Sequence, residues 1–358
     1  MSIIVFILIL GILVLVHELG HFIAAKKSGV LVEEFGFGFP PRIFGKKIGE
    51  TTYSLNLFPI GGFVKLYGEE YHSVGNALKP FPNKNRTFVF KKPWQKGVII
   101  ISGVIGNFLL GWFIISLLFT QGIPTPINKV LIEKIQPGSP AAYSGLKEKD
   151  LIYQLKNDGK TYSISSPNDL IYLTGKFTAQ KITLFVERGK KKTTVEITPR
   201  KNPPKDQGPL GIVINSPFVE KKYPWYQAPF YGLIEAFNIT KKIVIELTKT
   251  LVQLITFQKP KVDVAGPIGI ARYTGMALKF GKNAVLELVA LLSLNLAVIN
   301  IFPFPALDGG RLVFVVYEWI TKKRINQALE RNLNLIGFAI LLSLAGLVTI
   351  NDIIKIYR

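Results

Sequence analysis

Four long apolar runs constrain this chain more than any other feature. Residues 2–16 contain no charged side chain, and with residues 17–25 the run reaches the roughly 20 residues that cross a bilayer. Similar runs cover residues 97–120, 284–307 and 333–350. Hydrocarbon offers no water to peptide groups, so runs of this kind are expected to be helices that bond their own backbones. Basic residues orient them. Lys26 and Lys27 follow the first run, Lys91, Lys92 and Lys96 precede the second, and Lys322, Lys323 and Arg324 join the third to the fourth. Both termini, and the stretch from Gln121 to about Gln258, are therefore expected outside the cytoplasm. A cleavable signal peptide fits the first run poorly, because the usual basic leading segment is missing.

Composition narrows the chemistry. Hydrophobic residues make up 48% of 358, and the mean hydropathy of +0.31 suits membrane segments plus one modest soluble part. There is no cysteine, which excludes disulfides, thiolate metal ligands and a cysteine nucleophile. Only His17, His21 and His72 are histidines, so any metal site draws on these and on carboxylates. The formal charge of +21 lies mostly beside apolar runs, which points to an anionic membrane surface and away from nucleic acid.

Two of the three histidines fall in VLVHELGHFIAAKK, at the inner end of the first apolar run. His17 and His21 are four residues apart, so a helix places both imidazoles on one face, within reach of one ion. Glu18 is rotated away and suits a general base that takes a proton from a water activated by the metal. Zinc is the expected ion, because this arrangement leaves a coordination position open. Ionisable groups at such depth are expensive to bury and mark functional sites.

A third protein ligand is needed. A glycine and a histidine at three and six residues after His21 would supply one, but Ala24 and Lys27 stand there. A carboxylate from another span remains. Glu287 lies at the outer end of the third run, whereas Asp308 lies at its inner end, at the depth of the histidines, and is the expected ligand. The alternative for Asp308 is a turn residue in PALDGGR. Pro303 and Pro305 break this run, and irregular backbone at membrane depth occurs where protein buries it or a wet cavity meets it. In the second run Gly103 and Gly106 favour close helix packing, and Asn107 offers one amide.

Outside the spans the patterns are mainly β. Tyr53, Leu55 and Leu57 alternate, Pro59, Gly61 and Gly62 interrupt, and residues 63–67 resume, which reads as an aromatic-rich hairpin within a membrane-associated β region over 31–71. Residues 72–96 read as a cytoplasmic linker. Residues 125–215 alternate short strands with turns and form a small, mainly β domain. Residues 225–258 are apolar at helical spacing but carry Glu235, Lys241, Lys242, Glu246 and Lys249, as an interfacial amphipathic helix would.

HELGH in the first run, SGVIGN in the second, the β insert, GPIGIA at 266–271 and NIFPFPALDGGR in the third occur in the order found in the site-2 type intramembrane zinc metalloproteases. The chain resembles the PDZ-containing bacterial branch of that family over most of its length. The resemblance implies a polytopic α-helical membrane protein of the bacterial cytoplasmic membrane. It has four transmembrane helices (1–25, 97–120, 284–320 and 333–352), a membrane-associated β-hairpin region and one extracytoplasmic PDZ-like α+β domain. It implies zinc on His17, His21 and Asp308, Glu18 as catalytic base, and Asn300 helping to hold substrate or the catalytic region. Pro303, Asn107, Gly61 and Gly62 are the further substrate-side candidates. EKD stands in the insert where GD is usual, and NDG at the later turn, which bears on peptide affinity more than on fold.

The expected activity is cleavage of a peptide bond in or beside the transmembrane segment of a single-span protein, such as an anti-sigma factor, with a peptide segment docking on, or filtered by, the PDZ-like domain. The rival readings are a PDZ-bearing membrane scaffold with a structural metal, and a transporter using the buried polar groups. The second leaves Glu18 unexplained.

Overall fold

In this computed structural model the described residues are 2–69, 83–189, 191–204, 207–256, 265–323 and 325–357. They fall into two compact units, Met1–Thr120 with Pro224–Arg358, and Gln121–Tyr223.

The chain opens with α1 (Ser2–Lys27), whose last turn carries Lys26 and Lys27 where cations complement the helix dipole. Strands β1 (Val32–Ile48) and β2 (Thr51–Leu66) follow, then two 3-10 turns at Lys84–Arg86 and Phe88–Phe90, then α2 (Pro93–Gln121). Residues 72–82 of the expected 72–96 linker, with His72, lie outside the described residues, while 84–90 hold the two 3-10 turns and 93–96 already belong to α2. The hairpin expected from 53–57 and 63–67 is wired differently. Glu34 to Phe37 lie opposite Thr52 to Leu55 on one side and opposite Lys65 to Gly62 on the other, so the two runs flank an earlier segment and do not pair with each other. Period-two alternation identifies strands but not their partners. The far end of β1, Arg42 to Ile48, pairs with Asn56 to Thr51.

The second unit holds β3 (Ile123–Pro126), β4 (Val130–Ile135), α3 (Pro140–Ser144), β5 (Leu151–Asn157), β6 (Lys160–Ser163), α4 (Pro167–Lys176), β7 (Ile182–Arg188), β8 (Lys191–Ile197), β9 (Ile212–Asn215) and β10 (Phe218–Lys221). Its main sheet runs β8-β7-β5-β4-β9 with β6 on β5, while β3 and β10 form a separate pair. Ile132, Ile152, Leu155, Leu170, Leu184 and Val186 build its core. Asp150, fully buried, takes two bonds of 2.7 Å from the Arg188 guanidinium, which satisfies a charge that would otherwise be costly. Ser166 and Asp169 cap α4 reciprocally.

The first unit resumes with α5 (Ala228–Ile255), α6 (Pro267–Phe280), α7 (Lys282–Ile301), α8 (Asp308–Thr321) and α9 (Gln327–Tyr357). Among the described residues, four helices are long and apolar enough to cross a membrane: α1, α2, α7 and Ala328–Lys355 of α9. Their outward faces carry exposed Ile3, Ile4, Phe113, Leu335, Ile336 and Phe338, a surface suited to lipid. The single 284–320 span becomes two helices, because Pro303 and Pro305 cannot continue the α7 ladder. GPIGIA opens a helix: Gly266 is the N-cap of α6 and Pro267 takes its first position, where no N–H is needed. Helix α5 lies along α2, with the Trp112 indole donating to the Pro229 carbonyl at 2.8 Å and Phe108 stacked near Phe237.

Small residues set the contact between α1 and α2. Gly20 lies flush on the Ser102 carbonyl, and a methyl at Gly106 would sit 2.9 Å from the Val16 carbonyl oxygen. Hydrophobic pressure is weak in lipid, so such close backbone approach supplies the packing.

Candidate metal centre

Helix α1 presents His17, 7% exposed, and His21 one turn later. Their Nε2 atoms are 3.2 Å apart and the rings meet edge to face. Asp308, first residue of α8, brings Oδ2 to 2.9 Å from His17 Nε2 and 3.2 Å from His21 Nε2. The three side chains form a group that can hold a metal ion. Donors around a four-coordinate zinc stand about 3.4 Å apart, given bonds of roughly 2.0–2.1 Å, so the donor set fits such an ion with little movement. The buried Asp308 Oδ2 has no hydrogen-bond partner beyond the imidazoles it faces, which marks it as an atom awaiting a cation.

The surroundings orient these ligands. His21 Nδ1 lies 2.8 Å from the Ile99 carbonyl of α2, so it carries the proton and leaves Nε2 free to ligate. His17 Nδ1 lies 3.4 Å from the amide nitrogen of fully buried Asn107, whose Oδ1 has no partner. Amide orientation is set by the hydrogen-bond network. With His17 Nε2 on a metal, Nδ1–H needs an acceptor, and the other orientation of Asn107 supplies it. Ser293 of α7 donates to the backbone carbonyl of Asn107 at 2.7 Å, which ties the main chain there and leaves the amide oriented by its own contacts. Asn300 reaches the same ring from α7, with its amide nitrogen 3.3 Å from His17 Nε2.

A cavity of about 700 Å³ opens on this group, lined by His17, Glu18, His21, residues 62–69, Ala306, Asp308 and Arg311 among others. Glu18 points into it next to β2: a methyl at Gly62 would sit 3.1 Å from Glu18 Cγ. An Arg311–Glu69 ion pair lies on its lining, and Lys96 of α2 holds Glu318 of α8 at 2.8 Å.

The profile of peptidase family M50 matches residues 5–344. The chain belongs to this family. A Clostridium perfringens protein bearing the name zinc metalloprotease is 36% identical, with 99% of both chains covered. The zinc metalloprotease RasP of Bacillus licheniformis is 30% identical and the regulator of sigma-W protease RasP of Bacillus subtilis 29%, each again with 99% of both chains covered. Among solved structures, the PDZ domain of an SdrC-like protein from Listeria monocytogenes aligns at 19% identity over 26% of this chain and 93% of that one, with a TM-score of 0.22. The M50 chain is accordingly a site-2 type membrane metalloendopeptidase.

In this M50 peptidase the sequence candidates do not all converge. His17, Glu18, His21, Asp308 and Gly62 line one cavity, and Asn107 and Asn300 contact His17. Asn107 sits against the His17 ring and does not line the cavity. Gly61 and Pro303 are not among the lining residues. Gly61, inside β2, has φ +92° and lies against the Phe39 ring, and exposed Pro303 follows the end of α7. From the sequence, Gly103 is only a small residue that favours close helix packing. In the structure a Cβ there would lie 2.8 Å from His17 Cε1 and 2.7 Å from His21 Cε1, so only glycine leaves room for both rings. A small residue one helical turn from Asn107 was the available signal. Gly103→Ala is expected to bring bound metal well below one ion per chain in the purified, still helical protein, read by elemental analysis beside circular dichroism. Full metal content would contradict the packing argument.

Proposed function

We propose that His17, His21 and Asp308 hold zinc and that Glu18 is the general base for hydrolysis of a peptide bond in or near the transmembrane segment of a single-span membrane protein. The observation that carries this reading is one cavity lined by the three-donor group, Glu18 and the strand from Gly62 to Leu66. When bound, zinc supplies Lewis acidity toward the scissile carbonyl. Glu18 neighbours His17 along α1 but projects from a different angle, which frees its carboxylate to take the proton of the attacking water and pass it to the leaving amine. Asn300 stands beside His17, where its amide can donate to the reacting carbonyl.

A helical substrate hides its peptide bonds, so it has to unwind before attack. Residues 62–66 pair with β1 on one edge, and among the described residues no strand pairs with the other. That edge can hold an extended segment by main-chain hydrogen bonds, with little demand on its sequence. Gly62 brings the strand flush against α1, which sets the held segment beside Glu18.

The basic residues flanking the spans put the metal centre at the cytoplasmic side and residues 121–223 outside, as a PDZ-like module that docks a peptide or filters by size. The relative named regulator of sigma-W protease supports a regulatory membrane protein, such as an anti-sigma factor, as substrate.

Glu18→Gln is expected to bind zinc like the parent yet cleave a single-span reporter in liposomes at least about 10²-fold more slowly, in line with the worth of a positioned base. Equal cleavage would remove Glu18 from the mechanism, and zinc binding without turnover in the parent would favour a scaffold. The absence of native cysteine makes topology directly readable. Lys160→Cys is expected to react with a membrane-impermeant maleimide in intact cells, and Lys323→Cys only after permeabilisation. The reverse pattern would invert the orientation.

A further inference from the structure

The loop that delivers Asp308 is held by a helix that contributes none of the three metal-binding side chains. Between the end of α7 and the start of α8, residues 302–307 turn Asp308 back toward the histidines of α1. Ala306, two residues before Asp308, has φ +72°, a left-handed conformation that a residue with a Cβ rarely adopts. Such a conformation persists where the surroundings over-determine it. The Ala306 N–H donates to Oδ1 of Asn334 on α9, at 3.1 Å. One turn further along α9, Gly337 lies flush on the same loop: a methyl there would sit 2.6 Å from Pro305 Cβ and 2.7 Å from the Pro305 carbonyl carbon. On the other side, Gly310 of α8 packs so closely on Phe304 and Pro305 that its Cβ would fall 2.8 Å from the Phe304 carbonyl carbon. Ala306 itself lines the cavity that holds His17, Glu18 and Asp308.

We infer that Asn334 is a positioning residue for the metal centre: by accepting the Ala306 N–H it holds the loop in its left-handed turn and so aims Asp308 at His17 and His21. The inference rests on the zinc reading above. Helix α9 then braces the loop that carries Asp308, in addition to being long and apolar enough to span a membrane. Without the amide oxygen, the Ala306 N–H loses its acceptor. The loop gains nothing from keeping a positive φ, and Leu307 and Asp308 swing with it. Partners that orient a metal ligand typically change affinity by about 10–100-fold when removed, with the ligands themselves untouched.

The test uses the full chain purified in detergent, with zinc affinity from chelator competition and the visible spectrum of the cobalt-substituted protein as readouts. Asn334→Leu removes the acceptor and is expected to weaken zinc binding about 10–100-fold and to alter the cobalt bands. Asn334→Asp keeps an oxygen at the same place and is expected to stay within a few-fold of the parent. Adding Ala306→Gly to Asn334→Leu is expected to recover much of the loss, because glycine holds a positive φ without help. A purely structural role for α9 would show no such rescue. Parent-like affinity and spectrum in Asn334→Leu would overturn the inference. Should that variant fail to fold, Gly337→Ala replaces it: a methyl driven into Pro305 is expected to weaken zinc, and unchanged affinity would overturn the inference equally. A parent chain that binds no zinc would instead bring down the metal reading itself.

Discussion

Two imidazoles and a carboxylate crowded within 3.2 Å of one another inside an apolar helix bundle are costly to bury and leave Asp308 Oδ2 without an ordinary hydrogen bond. A cation between them removes that cost, and the rest of the membrane unit can be understood as the means of keeping them there. Helix α1 supplies two donors one turn apart. The Ile99 carbonyl fixes one ring and Asn107 faces the other. The third donor comes from 287 residues beyond His21, on a helix that begins at Asp308 itself.

Close approach of backbones makes this assembly possible. Gly20, Gly103 and Gly106 let α1 and α2 meet without side chains between them, and the space above Gly103 is taken by the imidazoles. Gly309 and Gly310 let α8 turn back on the carbonyls of residues 301–304. Gly62 places the β2 edge on Glu18. These six glycines mark three junctions, between helix and helix, helix and loop, and strand and helix. Together they bring Glu18, the three-donor group and an edge of β2 to one cavity. Helices in lipid gain little from hydrophobic burial, so steric fit of this kind carries the architecture.

Much of the site was legible in the chain before the structure. The spacing of His17 and His21 needs only helix geometry, and Asp308 followed from the lack of cysteine, the scarcity of histidine and the depth of each carboxylate. The substrate-side set was less so. Gly61 and Pro303 stand in suggestive motifs, yet neither lines the cavity, because a motif records proximity along the chain and not which way a side chain faces. The hairpin differs from the sequence pattern for a related reason: 53–57 and 63–67 both read as strands, but Phe35 and Phe37, between them in space, precede them in sequence. The Ile99 carbonyl had no signature at all, since every residue has one. Asn334 lies 28 residues beyond Ala306 in an otherwise ordinary span, and only the backbone angle of Ala306 draws attention to it.

The central claim, that residues from α1 and α8 share one ion, is tested most directly by X-ray absorption at the zinc edge of the purified chain. The account expects a low-coordinate shell of light atoms at about 2.0–2.1 Å, with the outer scattering of two imidazoles and a further oxygen ligand. In Asp308→Ala the imidazole scattering should persist while the remaining shell changes. A shell without imidazole scattering, or one identical in Asp308→Ala, would contradict it.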